Sequence, residues 1–151
     1  MKLYTNNTQE TEALGKKLAE ALLNNLSKKS FIVLYGDMGV GKTSFTRGFC
    51  SALSINETHS PTYTIVNEYR KGLFPVFHFD MYRIESEDDL VSIDFYGYLE
   101  KDGFCICEWS ENIADEIPDD AISVTIKRSE KGDGKREIII EGGSAIEDFI
   151  S

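Results

Sequence analysis

The sequence predicts an α/β fold built on a mixed β-sheet, parallel around its first strand and antiparallel toward one edge. Residues 31–35 are five consecutive apolar residues rich in β-formers, which is typical of a strand buried on both faces of a parallel sheet. Glycines and then a helical pattern follow this run. Farther along, strand-like segments are separated by few helices, which favours antiparallel pairing beyond the βα start.

The first element is a predicted amphipathic helix from residue 7 to about residue 28. Asn7 and Glu10 are placed as a variant of the capping box that begins many helices. The apolar side chains that recur at helical spacing are Leu14, Leu18, Ala21, Leu22 and Leu26.

The later elements are predicted from apolar runs and turn residues. Gly72 and the segment 131–134 mark turns that join neighbouring strands. A helix covers 43–53, short helices cover 86–93 and 144–150, and further strands cover 63–69, 76–81, 104–108, 122–128 and 137–141. Without repeats or a linker, these elements predict a single domain over residues 1–151.

Length and charge exclude several classes of protein. The 151 residues are 41% hydrophobic and 28% charged, which is typical of a globular domain that needs no disulfide or structural metal. The formal net charge of −10 disfavours direct binding to nucleic acid or to anionic membranes. No apolar run is long enough to cross a bilayer, and the start of the chain lacks the apolar core of a signal peptide. A cytoplasmic protein is therefore expected.

The three cysteines indicate neither a disulfide framework nor a zinc site, because their number is odd and no ligand spacing accompanies them. Cys105 and Cys107 lie two apart in a predicted strand, so both are expected on one face of it. With Cys50, they are interpreted as buried structural thiols.

The strongest chemical signal is the segment 36–43, which reads GDMGVGKT and matches the phosphate-binding pattern G-x-x-x-x-G-K-[ST]. It leaves the predicted buried strand and opens a helix, which is the context that this motif requires. Its glycines allow backbone N–H groups to point at phosphate oxygens, and the helix N-terminus adds a positive dipole end. The motif predicts a nucleotide-binding three-layer sandwich of the P-loop NTPase type.

The residues of this loop have distinct expected roles. Lys42 is expected to contact the β- and γ-phosphates, and the Thr43 hydroxyl to ligate a Mg²⁺ that bridges them. The predicted nucleotide contacts in the loop are Gly39, Val40, Gly41, Lys42, Thr43 and Ser44.

A second acid is expected to hold the Mg²⁺ at the carboxyl end of a strand near the loop. Glu108 ends the apolar run 104–107, and Asp80 ends the run 76–79. Asp is the usual residue in this role, but the strand before Asp80 contains a histidine, so the residues alone leave the choice open. That histidine, His78, alternates with aromatic residues and is interpreted as part of a polar strand face, not as a catalytic group.

Three residues near these strands have two interpretations each. Ser60 and Thr62 lie before the next predicted strand, where switch residues contact the γ-phosphate or Mg²⁺, but hydroxyls beside proline are also ordinary turn residues. Trp109 directly follows Glu108. It either stacks on a base or is a half-buried aromatic at a strand end.

Four ordered segments resemble the TsaE family, also called YjeE, of small bacterial P-loop ATPases. They are GDMGVGKTSFTRGF at 36–49, SPTYTIVNEY at 60–69, FHFDMYRI at 77–84 and CEW at 107–109. The resemblance implies slow, Mg²⁺-dependent ATP hydrolysis in support of TsaB-like and TsaD-like proteins, which act in the threonylcarbamoylation of adenosine 37 of tRNA. Together with the net charge of −10, this predicts that tRNA is contacted only indirectly, through that complex.

The resemblance assigns roles to individual residues. It matches Glu108 with the acid at the second metal position and Asp80 with an acid that supports hydrolysis, so these two and Lys42 are the implied catalytic residues. The further matches are Thr43 with a magnesium ligand, Thr11 with a nucleotide contact, and Arg136 with a basic residue near the adenosine end.

Other functions are compatible with parts of the sequence. A nucleotide-dependent binding module is one, because no arginine is obviously placed to stabilise a transferring phosphate. A small-molecule kinase would need an arginine-bearing lid and an acceptor pocket, for which little chain remains. A GTPase is disfavoured, because Glu130 stands where its guanine-reading motif requires Asn.

Overall fold

A computed structural model describes residues 1–24, 29–62 and 64–143. A 3₁₀ segment, Ser110–Glu116, precedes the last two strands. In chain order, the other elements are β1 (Lys2–Thr5), α1 (Thr8–Asn24), β2 (Lys29–Tyr35), α2 (Lys42–Ser51), β3 (Val66–Tyr69), β4 (Val76–Asp80), α3 (Glu87–Ser92), α4 (Phe95–Glu100), β5 (Gly103–Glu108), β6 (Ile122–Arg128) and β7 (Arg136–Glu141).

The strands of the described residues form one sheet in the order β1-β7-β6-β2-β5-β4-β3. The central strands β6, β2, β5 and β4 are parallel, whereas the outer strands β7, β1 and β3 are antiparallel to their neighbours. The predicted α/β class with a mixed sheet is confirmed. Antiparallel strands lie at both edges rather than at one, because β3 returns beside β4 and β7 returns beside β6.

Helices cover both faces of the sheet, which makes the fold a three-layer sandwich. α1 and α2 cover one face, with Leu18 and Phe49 in its core. α3 and α4 cover the other face, where Phe95 meets Phe79 edge to face. Because the central strands are parallel, their carboxyl ends meet at one edge of the sheet, which is where ligands bind in such folds. No helix in the described part of the chain is long and apolar enough to cross a membrane.

The first helix begins with the predicted capping residues. The Asn7 side chain accepts a hydrogen bond from the Glu10 backbone N–H at 2.8 Å, and the Glu10 carboxylate accepts one from the Asn6 N–H at 2.8 Å. These bonds satisfy N–H groups that a helix start otherwise leaves unpaired. The predicted end near residue 28 lies outside the described residues.

Most predicted strand boundaries agree with the structure to within one residue, but β3 is shorter than predicted. It begins at Val66, and residue 63, where it was predicted to begin, lies outside the described residues. Ile65 has a φ of 69°, and its N–H bonds to the carbonyl oxygen of Pro61 at 2.8 Å. The chain therefore turns here before it can pair with β4.

Three short elements are absent from the sequence prediction. β1 has four residues, too few for a clear alternating pattern, and among the described strands it pairs with β7 alone. α4 and the 3₁₀ segment are held by the burial of Phe95 and Ile113, since helices this short are not stable alone. The predicted helix at 144–150 lies outside the described residues.

The three cysteines are buried free thiols, as predicted. Cys105 and Cys107 both face the layer of α3 and α4, and Cys50 lies in the core beneath α2. Burial raises the pKa of Cys50 and of Cys105 to about 12, so these thiols are protonated at neutral pH and act as packing groups.

The helices α1 and α2 approach each other backbone to backbone at two glycines. A β-carbon at Gly48 would overlap the carbonyl oxygen of Glu12, and one at Gly15 would overlap that of Phe45. Both oxygens belong to helix backbones, which cannot move aside as a side chain can. Because α2 directly follows the glycine-rich segment 36–41, this crossing also determines the position of that segment.

Replacing Gly48 by alanine is expected to lower the free energy of unfolding by about 3 kcal/mol, because the methyl group forces the two helices apart. At an exposed helix position the same change would stabilise by up to about 1 kcal/mol. Urea denaturation followed by circular dichroism measures the difference. Glu20→Ala, on the exposed side of α1, is the control, and an unchanged midpoint in Gly48→Ala would contradict the close approach.

Candidate functional site

The glycine-rich segment 36–43, which the sequence predicts to bind phosphate, connects β2 to α2 at the carboxyl edge of the parallel strands. Its backbone adopts left-handed φ values at Gly39 (76°) and Gly41 (122°), which residues with a β-carbon rarely do. α2 begins at Lys42, directly after Gly41. Because glycine has no side chain that can cap a helix, the N–H groups of this first turn remain available to an anion.

Two arginines, one on β6 and one on β7, hold the loop. Arg136 Nε donates to the carbonyl oxygen of Val40 at 2.7 Å, and Arg128 Nη2 donates to that of Met38 at 3.4 Å. The two arginines are direct partners in the β6–β7 register. The structure therefore places Arg136 against the backbone of the loop.

The helix α1 lies beside the loop and approaches it through Thr11. The Thr11 hydroxyl shares a hydrogen bond of 2.8 Å with the Thr5 hydroxyl. Its methyl group faces the loop, since a β-carbon at Gly41 would lie 3.6 Å from Thr11 Cγ2. Thr43, which is exposed, and Ser44, which is half-buried, occupy the first turn of α2.

Both candidate acids end parallel strands near the loop. Asp80 is the last residue of β4 and Glu108 the last of β5, and the two are direct partners in the strand register. β5 also pairs with β2, which leads into the loop. Asp80 is only 8% exposed, and its Oδ1 accepts a hydrogen bond from the Tyr82 N–H at 2.9 Å. The structure thus brings both acids to the edge where the loop begins.

Each oxygen of the Glu108 carboxylate has its own partner. Oε1 lies 3.7 Å from Lys42 Nζ, and Oε2 lies 2.7 Å from His78 Nε2. Burial by itself raises the pKa of Glu108, but the hydrogen bond with His78 and the charge of Lys42 outweigh it, so the pKa lies below its ordinary value. An ionised carboxylate therefore faces the lysine of the loop at neutral pH.

Trp109 covers another side of the loop lysine. The Lys42 ammonium lies 4.8 Å from the centroid of the indole ring, which is within range of a cation–π interaction. The ring also meets Tyr82 edge to face, with 5.1 Å between centroids. Lys42 thus lies between a carboxylate and an aromatic ring.

A pocket of about 490 Å³ opens beside these groups. Arg83 donates to the carbonyl oxygen of Thr62 at 2.9 Å. The hydroxyls of Ser60 and Thr62 are 2.7 Å apart. The residues lining the pocket are Met38, Thr62, Asp80, Tyr82, Arg83 and Trp109. Thr62 therefore lies on the Asp80 side of the site, and its hydroxyl is hydrogen-bonded to that of Ser60.

The sequence interpretation missed the contact of His78 with Glu108. His78 pairs with Ile106, two residues before the Asp80–Glu108 pair, so His78 and Glu108 are diagonal neighbours on one face of the sheet. The available signal was the alternation of His78 and Asp80 in an otherwise apolar strand. It points to a shared site only when the neighbouring strand and its register are known.

Comparison with known proteins identifies the family. A family profile described as "Threonylcarbamoyl adenosine biosynthesis protein TsaE" matches residues 5–138. The tRNA threonylcarbamoyladenosine biosynthesis protein TsaE of Bacillus subtilis is 37% identical over 139 residues, which cover 91% of this chain and 83% of that protein. The protein of the same name from Haemophilus influenzae is 39% identical over 114 residues, covering 74% and 72%.

A solved structure agrees with these relatives. The crystal structure of Bacillus subtilis YdiB superposes with a TM-score of 0.76 at 33% sequence identity, over 99% of this chain and 90% of that one. The matched range of the family profile includes the loop, both acids, His78 and Trp109. The resemblance that the four sequence segments indicate is confirmed: the chain belongs to the TsaE family of threonylcarbamoyl adenosine biosynthesis proteins.

Proposed function

We propose that this protein binds ATP together with Mg²⁺, hydrolyses ATP slowly, and acts as an accessory to TsaB-like and TsaD-like proteins in threonylcarbamoylation of tRNA. The observation that supports this most is the convergence at one sheet edge. Lys42 starts α2 and lies 3.7 Å from Glu108, which is the register partner of Asp80. A phosphate-binding loop beside two strand-end acids is the arrangement that phosphoryl-transfer chemistry uses.

The triphosphate would bind along the backbone of the loop and the first turn of α2. Lys42 would leave Glu108 and contact the β- and γ-phosphates, while Arg136 keeps the Val40 carbonyl in place. The donors beside it suit Mg²⁺, because the Thr43 hydroxyl and the carboxylates are hard oxygen ligands. When bound, Mg²⁺ would neutralise charge that develops on the phosphates.

The two acids would have different roles. Glu108, whose lowered pKa keeps it ionised, would bind Mg²⁺. Asp80 lines the pocket beside the loop and would orient the attacking water.

Slow turnover is part of the proposal. Fast P-loop NTPases place an arginine on the transferring phosphate. In this pocket, Arg83 is already bound to the carbonyl oxygen of Thr62. The isolated chain would therefore lack that cation at the reacting phosphate.

The family supports a role in tRNA threonylcarbamoylation. The net charge of −10 favours a protein that leaves most contact with tRNA to its partners. The cytoplasm is the compartment we propose, because the tRNA substrate is found there.

Titration with ATP in the presence of Mg²⁺, followed by the fluorescence of Trp109, tests the binding step, since Trp109 is the one tryptophan of the chain. We expect a saturable signal with ATP and a weaker one with GTP. Phosphate release should be slow for the chain alone and should rise when TsaB-like and TsaD-like proteins and tRNA are added. Absence of saturable ATP binding would contradict the proposal. Binding without any hydrolysis under these conditions would favour a nucleotide-dependent binding module instead.

A further inference from the structure

We propose that His78 is a positioning residue that holds the Glu108 carboxylate in place while Lys42 moves between Glu108 and the nucleotide. The inference rests on the proposed ATPase function, which it deepens. It concerns a side chain of β4 that has no role in the nucleotide site assigned so far.

The geometry of the contact supports this role. His78 is 3% exposed, and its Nε2 lies 2.7 Å from Glu108 Oε2, a distance typical of a hydrogen bond to a carboxylate. Both side chains stand on neighbouring parallel strands in fixed register. Because an ionised carboxylate only accepts hydrogen bonds, Nε2 carries the proton in this contact.

The second oxygen of Glu108 explains why such a residue is needed. Oε1 is paired with Lys42, and the side chains of the pair are only 9% and 13% exposed. When Lys42 turns to a phosphate, Oε1 loses this partner and would have to turn to Mg²⁺ instead, in a poorly solvated place where a charge without a partner is strongly unfavourable. The hydrogen bond from His78 remains, so Glu108 can stay ionised and oriented.

The buried Nδ1 atom on the opposite side of the imidazole ring argues against a purely structural role for His78. His78 Nδ1 is buried and has no hydrogen-bond partner, although such an atom normally finds one. An apolar ring would fill this space without that cost. The bond made by Nε2 is what distinguishes histidine from such a ring here.

Two substitutions separate the hydrogen bond from the packing. His78→Phe keeps a ring of similar size and removes the donor, whereas His78→Gln offers an amide N–H near the position of Nε2. We expect His78→Phe to lower kcat for ATP about 30-fold and to raise the Mg²⁺ concentration for half-maximal activity, in the range typical of residues behind a metal ligand. The affinity for ATP without Mg²⁺ should change less than about threefold. His78→Gln should recover most of the loss.

A readout independent of turnover uses the nucleotide-free protein. The chain has two histidines, so a long-range ¹H–¹⁵N spectrum with His59→Gln as the matched control assigns the His78 ring. We expect Nε2 to carry a proton, because it donates to the Glu108 carboxylate. Urea denaturation verifies that each variant is folded.

Distinct results would overturn this inference and the proposed function. A wild-type kcat and Mg²⁺ dependence in folded His78→Phe would overturn the positioning role while the ATPase function stands. Equal losses in His78→Phe and His78→Gln, or a ring protonated only at Nδ1, would overturn it as well. Absence of ATP hydrolysis by the wild-type protein, with and without its partners, would overturn the proposed function itself.

Discussion

Replacing Lys42 by alanine is expected to weaken binding of ATP with Mg²⁺ about 100-fold, the effect of losing a buried charge-assisted contact to phosphate. Lys42 is 8% exposed at the start of α2, and its Nζ lies 3.7 Å from Glu108 Oε1. Without Lys42, the ionised carboxylate of Glu108 loses its cation near the incoming phosphates, and only the metal ion would offset the repulsion between them. Loss of attraction and gain of repulsion both weaken ATP binding, which is why the expected effect of this substitution is large.

Isothermal titration calorimetry with ATP and Mg²⁺ measures this effect. Lys127→Ala is the matched control, because Lys127 is an exposed cation at the end of β6, in a pocket that also includes loop residues Gly36, Asp37 and Val40. It should change the affinity less than about twofold, as expected for a solvent-screened charge. An affinity of Lys42→Ala equal to that of the wild type would contradict the assignment of the loop as the phosphate site.

Replacing Glu108 by glutamine is expected to lower ATP turnover about 1,000-fold while leaving ATP affinity nearly unchanged. The substitution keeps the size of the side chain and removes the charge that is placed to support the metal and the developing charge in the transition state. Binding should be preserved, because the loop backbone and Lys42 provide the phosphate contacts and no longer compete with an ionised carboxylate. Asp80→Asn should act in the same direction, since Asp80 ends the neighbouring strand in register.

Single-turnover hydrolysis and calorimetry on the same preparations separate the two quantities. Glu111→Gln is the control, because Glu111 is an exposed acid in the 3₁₀ segment that follows β5. It should leave both quantities within about twofold of the wild type. Parallel losses of affinity and turnover in Glu108→Gln would indicate a role in nucleotide binding, and an unchanged turnover would contradict a role in hydrolysis.

Local signals made much of the fold accessible from the sequence. The buried strand β2, the loop 36–43 and α2 follow one another within a short stretch, so their order is contained in the chain itself. β6 (Ile122–Arg128) agrees with its predicted bounds because its alternating pattern faces a core on one side. In contrast, β1 and α4 are short, and contacts distant in sequence stabilise them.

The same distinction applies to the candidate site. The residues alone identified the loop and offered Asp80 and Glu108 as two alternatives, and the resemblance to the TsaE family ordered them. The structure shows that the two are neighbours, because β4 and β5 pair in parallel although some 20 residues separate them along the chain. Their roles remain predictions for the experiments above.

The α/β fold class and the resemblance to the TsaE family could be read from the chain, because both depend on contiguous motifs such as the segment 36–43. Two features become visible only in the folded protein: Lys42 and His78 share the Glu108 carboxylate, and α1 and α2 touch at Gly15 and Gly48. Strand order, register and helix crossing determine these contacts. They arise from packing between segments far apart in the chain, which no local pattern records.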